Sequence, residues 1–192
     1  MPQRDNLRAM RTAYIGMGAN IPGPAGPPEA TLAAAATKLT MLGRVAAHSS
    51  LYSTEPVGYA EQPRFVNAVL ALETDLSARA LLDALMRIEK EFGRERTHAV
   101  SNGPRTLDLD ILLFGDCVID EPGLRIPHPR LAERAFVLTP LNEIAPEAVD
   151  PRSGVTIAEL RRKVAGSTAG DAVVRIDSSA WHAGAERLDA GR

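Results

Sequence analysis

The stretch Gly103-Pro104-Arg105-Thr106-Leu107-Asp108-Leu109-Asp110-Ile111-Leu112-Leu113-Phe114 decides the reading of this chain. An arginine-bearing turn runs into a segment in which apolar and acidic residues alternate. Side chains two apart on a strand point the same way, roughly 6.5–7 Å from each other. Asp108 and Asp110 therefore share one face, while Leu107, Leu109 and Ile111 pack the other. Aspartate is depleted in strands, and two neighbouring carboxylates repel unless a cation lies between them. Metal binding is thus a stronger reading than a solvated strand face. Hard oxygen ligands with no Cys or His beside them suit Mg2+ rather than Zn2+. A strand this apolar is expected in the middle of a sheet rather than at its edge.

Outward from that stretch, the 192 residues are enough for a single domain with a substantial core. A composition of 45% hydrophobic and 24% charged residues is that of an ordinary globular protein, and a net charge of −2 gives no general attraction to nucleic acid or membrane. Any anion site must come from a local group of arginines. The single cysteine, Cys117, excludes an intramolecular disulfide, suits a reducing compartment and reads as a packing residue. Residues 1–11 are too polar for a secretory signal, and there is no run of about 18 apolar residues to span a membrane. A cytoplasmic protein is expected.

The periodicities predict a strand over Thr12–Met17, then a Pro/Gly loop from Pro22 to Pro28 and a helix over Glu29–Leu42 stopped by Gly43. Val45–Tyr52 is β-prone, Ser53–Pro63 is a loop, and Phe65–Glu73 alternates as a strand. Ser77 is a suitable N-cap for a helix to Phe92, closed by Gly93. Leu107–Phe114 and Cys117–Ile119 are expected to form a hairpin around Gly115-Asp116, with Leu124–Ile126 a short extended piece. Leu131–Ile144 reads as a helix interrupted by Pro140, and Thr156 as the cap of a helix to Val164. Ala172–Ile176 is a candidate last strand, and from Asp177 no strong pattern appears. The order β-α-β-β-α-β-β followed by helices, with short links between the middle strands, predicts an α+β fold with a ferredoxin-like antiparallel sheet.

The aspartates are bracketed in sequence by Arg94, Arg96, Arg105, Arg125, Arg130 and Arg134, with His128. Singly these are ordinary surface charges. Together, their planar forks suit phosphate oxygens, whose transfer chemistry is mostly positioning and neutralisation of charge. Gly16-Met17-Gly18 is not a dinucleotide fingerprint, because Ile21 stands where the third glycine belongs, and no phosphate-binding loop of the G-x-x-x-x-G-K type occurs. These glycines instead let the backbone approach a ligand. Thr54 and Asn67, near Phe65 and Phe136, suit a flat heterocycle, although both rings are equally good core residues. On these residues alone, three classes stay open. One is an enzyme of Mg2+-nucleotide phosphate chemistry, and another a Mg2+- or Mn2+-dependent nucleotidyl- or glycosyltransferase with an Asp-x-Asp site. The third is a ferredoxin-like regulatory module that binds a small ligand.

The chain resembles the 6-hydroxymethyl-7,8-dihydropterin pyrophosphokinases of folate biosynthesis. The resemblance is carried by Gly103–Ile111, by Ala13–Asn20, by Ser50–Gly58 and by Gln62–Ala68. It is completed by Arg87-Ile88-Glu89 with Gly93-Arg94, by Ile126-Pro127-His128 and by Arg134–Leu138, and runs from about Thr12 to about Leu160. It implies an α-β-α sandwich on the ferredoxin-like core, acting as a monomer. Residues 1–11 would be an extension, 12–165 the pyrophosphokinase domain, and 166–192 a tail, partly disordered. The implied activity moves the pyrophosphoryl unit of ATP to the hydroxymethyl oxygen of the pterin, leaving AMP. By position, Asp108 and Asp110 would hold two Mg2+, and Arg94, Arg105 and Asp110 would be catalytic. ATP would be lined by Glu89, Arg94, Arg96, Arg105, Ile111, Arg125, His128 and Arg134. The pterin would meet Thr54, Glu55, Val57, Phe65, Asn67 and Phe136. Loops over Ala19–Pro28, Ser53–Pro63 and Arg94–Pro104 would close over the substrates. Many members have Arg-Trp where this chain has Ser101-Asn102, and some have Tyr in place of Pro129.

Overall fold

The computed structural model describes residues 10–56, 58, 61–94, 103–165 and 173–189. In chain order these form β1 (Arg11–Ala19), α1 (Pro28–Leu39), β2 (Arg44–His48), β3 (Leu51–Thr54), β4 (Phe65–Thr74), α2 (Ala78–Glu91) and β5 (Asp108–Phe114). There follow β6 (Ile119–Glu121), β7 (Leu124–Ile126), α3 (Ala135–Ile144), β8 (Val149–Asp150), β9 (Val155–Thr156), α4 (Ile157–Ala165), β10 (Val174–Ile176) and α5 (Ser179–Asp189). The main sheet runs β10-β3-β4-β1-β5, and β2 pairs with the other half of β4. Every pairing in it is antiparallel, as expected from the short links. The fold is a mixture of helices and antiparallel sheet. Among the described residues no helix is long and apolar enough to cross a membrane.

Strand alternation divides the apolar residues between two cores. Ile15, Leu70, Leu109 and Ile111 pack with Leu32 and Leu39 of α1, Leu81 and Leu85 of α2, and Trp181 of α5. Val69, Leu112 and Leu113 pack instead with Leu138 and Leu141 of α3 and Leu160 of α4. Each fully buried Leu or Ile contributes about 1.5–3 kcal/mol of transfer free energy. One irregularity sets which β5 residue serves which core. Tyr14 pairs with Leu113 but Ile15 with Ile111, so Leu112 is an extra residue in the ladder. The bulge leaves Leu112 and Leu113 both in the second core and returns Phe114 to the first.

Local chemistry accounts for most element ends. Ser77 Oγ accepts from the Ala80 N–H at 3.2 Å and starts α2. Thr156 and Glu159 form a reciprocal capping box at α4, with Glu159 N–H donating to Thr156 Oγ1 at 3.2 Å and Thr156 N–H to Glu159 Oε2 at 3.1 Å. Gly43 lies so close to β4 that a Cβ there would run into the Glu73 carbonyl. Cys117 packs on the first core, as its reading required.

Several expectations need correction. β5 is the last strand of the main sheet, not a central one. Its apolar side is covered by α2, and along its edge the His128 N–H donates to the Leu112 carbonyl at 2.9 Å. Nor does β5 form a hairpin with the next segment: β6 pairs with β7. Gly115 (φ 53°) turns the chain away, and its N–H returns to the Thr12 carbonyl at 2.8 Å. Val45–Tyr52 is broken at Ser49, whose Oγ accepts from the Val69 N–H at 2.9 Å in place of a backbone carbonyl. The break before α3 falls at Arg134, while Pro140 sits inside the helix. Beyond Asp177, where no pattern is legible, Ser179–Asp189 folds as α5 against α1.

Candidate active site

Three adjacent strands make the floor of the site. Gly18 of β1 is paired with Asn67 of β4 on one side and Asp108 of β5 on the other; Gly16 is paired with Val69 and Asp110. Directly paired residues share a face of the sheet. The two glycines therefore leave a trough between Asn67 and the aspartates. A Cβ at Gly18 would stand 3.0 Å from Asn67 Oδ1, and one at Gly16 would stand 3.2 Å from Leu112. The glycines do admit close approach, but from inside a strand rather than at its end.

Asp108 is held from two sides. Arg94 Nη1 donates to Oδ1, and Arg105 Nη1 donates to Oδ2 at 2.7 Å. Burial by itself pushes this carboxyl up, but the two guanidiniums outweigh burial and hold it below the usual carboxylate range. Arg94 is itself braced from beneath. Its Nη1 donates to Glu89 Oε1 at 2.9 Å and to the Leu107 carbonyl at 3.1 Å. Glu89, 1% exposed, also accepts the Leu109 N–H at 2.9 Å. Its place is under the site, tying α2 to β5, rather than on a cavity wall.

Asp110 is in the opposite situation. Burial, then the charges of Asp108 and Glu89, push its carboxyl up to about 7. Among the described residues no hydrogen bond reaches it. A carboxylate pair with one member satisfied and the other bare, in a half-buried trough, fits a hard divalent cation. Among the described residues no group of three or more His, Cys, Asp or Glu could cage a metal by itself. That donor set suits Mg2+, which usually takes one or two carboxylates and completes its shell with water and substrate phosphates.

The trough opens into a cavity walled by Thr54, Glu55, Phe65 and Phe136 as well as Asn67, Arg105, both aspartates and Arg134. Asn67 Nδ2 donates to Thr54 Oγ1 at 2.8 Å, which fixes both side chains below the surface. Glu55 is ion-paired with Arg64. The Arg105 guanidinium lies 5.6 Å from the Phe65 ring centroid, and that of Arg134 lies 5.4 Å from Phe136. A second cavity adjoins the first, with Ile111, Arg125 and His128 on its wall. Asp110 lines both. Burial, then the Arg134 charge, lowers His128 to about 4, so its ring is neutral at pH 7. Its Nδ1 accepts the Arg130 N–H at 3.2 Å, leaving the ring hydrogen on Nε2. Arg125 is exposed and pairs with Asp120 at 3.1 Å.

The structure thus brings together all the described candidates around β5, with Glu89 beneath and Arg125 at the rim. Val57 and Arg96 lie outside the described residues. Asn20 and Gln62 support the turn that carries Arg105 and escaped the sequence reading as functional groups. Asn20 Oδ1 accepts the Arg105 N–H at 2.8 Å, and its Nδ2 donates to Gln62 Oε1 at 2.9 Å. The available signal was an amide at the end of β1 and another before Phe65, but their contact joins residues 42 apart.

Comparison with known proteins agrees with this geometry. The 7,8-dihydro-6-hydroxymethylpterin-pyrophosphokinase (HPPK) pattern matches residues 14–146. A 2-amino-4-hydroxy-6-hydroxymethyldihydropteridine pyrophosphokinase of Pseudomonas aeruginosa is 46% identical over 138 residues, 72% of this chain and 83% of the relative. Its counterpart in Haemophilus influenzae is 44% identical over 158 residues, 81% of this chain and 94% of the relative. The crystal structure of wild-type Plasmodium falciparum HPPK-DHPS superposes with a TM-score of 0.62 at 16% identity, covering 81% of this chain and 41% of that one; it shows a shared fold. The matched span holds both aspartates, the arginines around them and the amide and aromatic residues of the trough, and the chain belongs to the 7,8-dihydro-6-hydroxymethylpterin-pyrophosphokinase family.

Proposed function

We propose that this chain transfers the pyrophosphoryl group of ATP to 6-hydroxymethyl-7,8-dihydropterin in folate biosynthesis, releasing AMP, and that it requires Mg2+. One observation carries the reading: Asp110 stands on the wall shared by two cavities of different chemistry. On one side lie an amide, a hydroxyl and two aromatic rings, which suit a flat, hydrogen-bonding acceptor. On the other lie Ile111, Arg125 and a neutral His128, which suit a nucleotide. The group to be transferred must pass between them, over the aspartates. The finer fold description, a ferredoxin-like core in an α-β-α sandwich, is supported by the strand order β3-β4-β1-β5 with α1 and α2 on one core. The reading keeps a monomer, and the lone Cys117 supports a reducing cytoplasm.

In this reading Asn67, Thr54, Glu55 and the backbone near Val57 read the pterin edges, while Phe65 and Phe136 flank its ring. Asp108 and Asp110 hold two Mg2+. Bound there with ATP, the ions would supply neutralisation of phosphate charge and make the attacking hydroxyl more acidic. The hydroxymethyl oxygen attacks the β-phosphorus, the bond from that phosphorus to the α-phosphate oxygen breaks, and AMP leaves with the bonding electrons. The hydroxyl proton goes to the Asp110 carboxylate. Arg94 and Arg105 neutralise Asp108 in the free protein; with substrate present the same guanidiniums serve the phosphate oxygens, joined by Arg96 and Arg134, and Glu89 keeps Arg94 in place. Such charge-directed contacts supply most of the catalysis of phosphoryl transfer.

The test is direct. The protein is incubated with ATP, Mg2+ and 6-hydroxymethyl-7,8-dihydropterin, and the nucleotide and pterin products are separated. AMP and the pterin diphosphate in equal amounts are expected, with turnover in Asp108→Ala reduced by about a thousandfold or more. Release of ADP or inorganic pyrophosphate instead would sink the assignment.

A further inference from the structure

Asn20 closes β1 at the lip of the site, and we infer that it is a positioning residue tying the acceptor half of the site to the phosphate half. This rests on the transfer reaction proposed above. The residue is 3% exposed, and its amide is fully used. Its Oδ1 accepts the Arg105 backbone N–H at 2.8 Å. Its Nδ2 donates to Gln62 Oε1 at 2.9 Å and to the Pro63 carbonyl at 3.1 Å. The Asn20 N–H donates to the Arg105 carbonyl at 3.0 Å. Three segments meet at this one side chain: the end of β1, the run into β4 that carries Phe65, and the turn into β5 that carries Arg105. Beyond the clamp, the Arg105 guanidinium lies 5.6 Å from the Phe65 centroid and 2.7 Å from Asp108 Oδ2. The distance between an acceptor-flanking ring and a phosphate-side arginine is therefore set through Asn20.

Only an amide serves both directions, offering an acceptor on one side and two N–H groups on the other. That makes the two halves of the clamp separable. Asn20→Asp keeps an acceptor for the Arg105 N–H but sets an oxygen against the oxygens of Gln62 and Pro63. Asn20→Ala reaches neither side and leaves the Arg105 N–H without its acceptor, open to water. Gln62→Ala, at a partly exposed position, loosens the acceptor side alone and poses little risk to folding.

The experiment measures kcat and pterin KM by AMP release for the full chain and these three variants, together with hydrogen exchange of the Arg105 amide. Asn20→Ala should lower kcat and raise pterin KM, each by about tenfold, and expose the Arg105 amide to fast exchange. Asn20→Asp should retain slow exchange and keep kcat within about threefold of the parent, yet raise pterin KM as the alanine variant does. Gln62→Ala should shift KM more than kcat. A merely structural residue would instead move both parameters in step with thermal stability. The inference is overturned if Asn20→Asp loses kcat as fully as Asn20→Ala, or if the Arg105 amide exchanges alike in all variants. A parent protein that releases no AMP sinks the transfer reading instead, and the exchange pattern then decides the clamp by itself.

Discussion

Asp110→Asn should abolish turnover and yet stabilise the metal-free protein, by an amount that grows with pH. The folded-state carboxyl sits at about 7, whereas in the unfolded chain it returns to about 3.9. A group whose value is raised on folding stabilises the fold fully below its unfolded value, and that contribution is lost as pH rises through the folded value. Ionised Asp110 therefore burdens the native state progressively between about pH 4 and pH 7. At about 1.4 kcal/mol per unit, a displacement of roughly three units sets a ceiling of about 4 kcal/mol above pH 7 and under about 2 kcal/mol at pH 5. The side chain is only half-buried, so water reduces this, and about 1–3 kcal/mol is the working expectation at pH 8. Asparagine has nothing to ionise and escapes the burden. Urea unfolding in the presence of a chelator, at pH 5, 6, 7 and 8, measures the gap between variant and parent. The gap should widen up to about pH 7 and flatten above about pH 8. A gap independent of pH, or a parent more stable than the variant at pH 8, would refute the reasoning. Mg2+ with a non-hydrolysable ATP analogue should then reverse the order, since only the parent gains a ligand that binds the folded state.

Three further outcomes follow from the same contacts. Glu89→Leu should cost about 3–5 kcal/mol in urea unfolding, because it strips Arg94 of one partner and leaves the buried Leu109 N–H without an acceptor. Glu89→Gln keeps both hydrogen bonds and should cost less than half as much; equal losses would contradict the bracing role. Gly18→Ala places a Cβ 3.0 Å from Asn67 Oδ1 and should raise pterin KM by about tenfold with little change in ATP KM. A rise confined to ATP would misplace the pterin. Trp181 is 4% exposed and its Nε1 donates to the Ser49 carbonyl at 3.1 Å, so Trp181→Ala should cost about 3–5 kcal/mol and Trp181→Phe about 1–2 kcal/mol by thermal unfolding. A Phe variant as stable as the parent would remove the hydrogen bond from the account, and equal losses in the two variants would remove the ring packing.

What was legible in the sequence was whatever depends on near neighbours. Alternation around Asp108 and Asp110 needs two residues of spacing, and the Ser77 and Thr156 caps need only the first turn of the helix that follows each. Each was visible before any fold was known. What escaped depends on distant pairing. The apolar run of β5 reads as central because burial looks the same whether another strand or a helix supplies it. The glycines of β1 read as a place of close backbone approach, but what they approach was hidden because their partners, Asn67 and Asp108, lie far along the chain. Helix α5 escaped because its apolar residues find their partners on α1, so periodicity alone carries a weak signal. The C-terminal strand β10 was expected, since three extended residues after a polar run need only a free edge, and β3 supplies one.

The misplacement of β5 bears on how the site works. Had this strand been central, a neighbour on its outer side would have walled off one flank of the aspartates, leaving a single trough over β1. As the last strand of the sheet, β5 keeps its second flank open, and there Ile111, Arg125 and His128 line the second cavity. An exposed, apolar edge strand is ordinarily an aggregation hazard. Here the hazard is met without another strand: the segment after β7 donates the His128 N–H to the Leu112 carbonyl, and α2 covers the Leu109 and Ile111 side. Covering the edge with a loop rather than a strand is what leaves room beside Asp110. A two-substrate transfer needs access to the reacting centre from two directions, and an edge strand bearing the acidic pair supplies it.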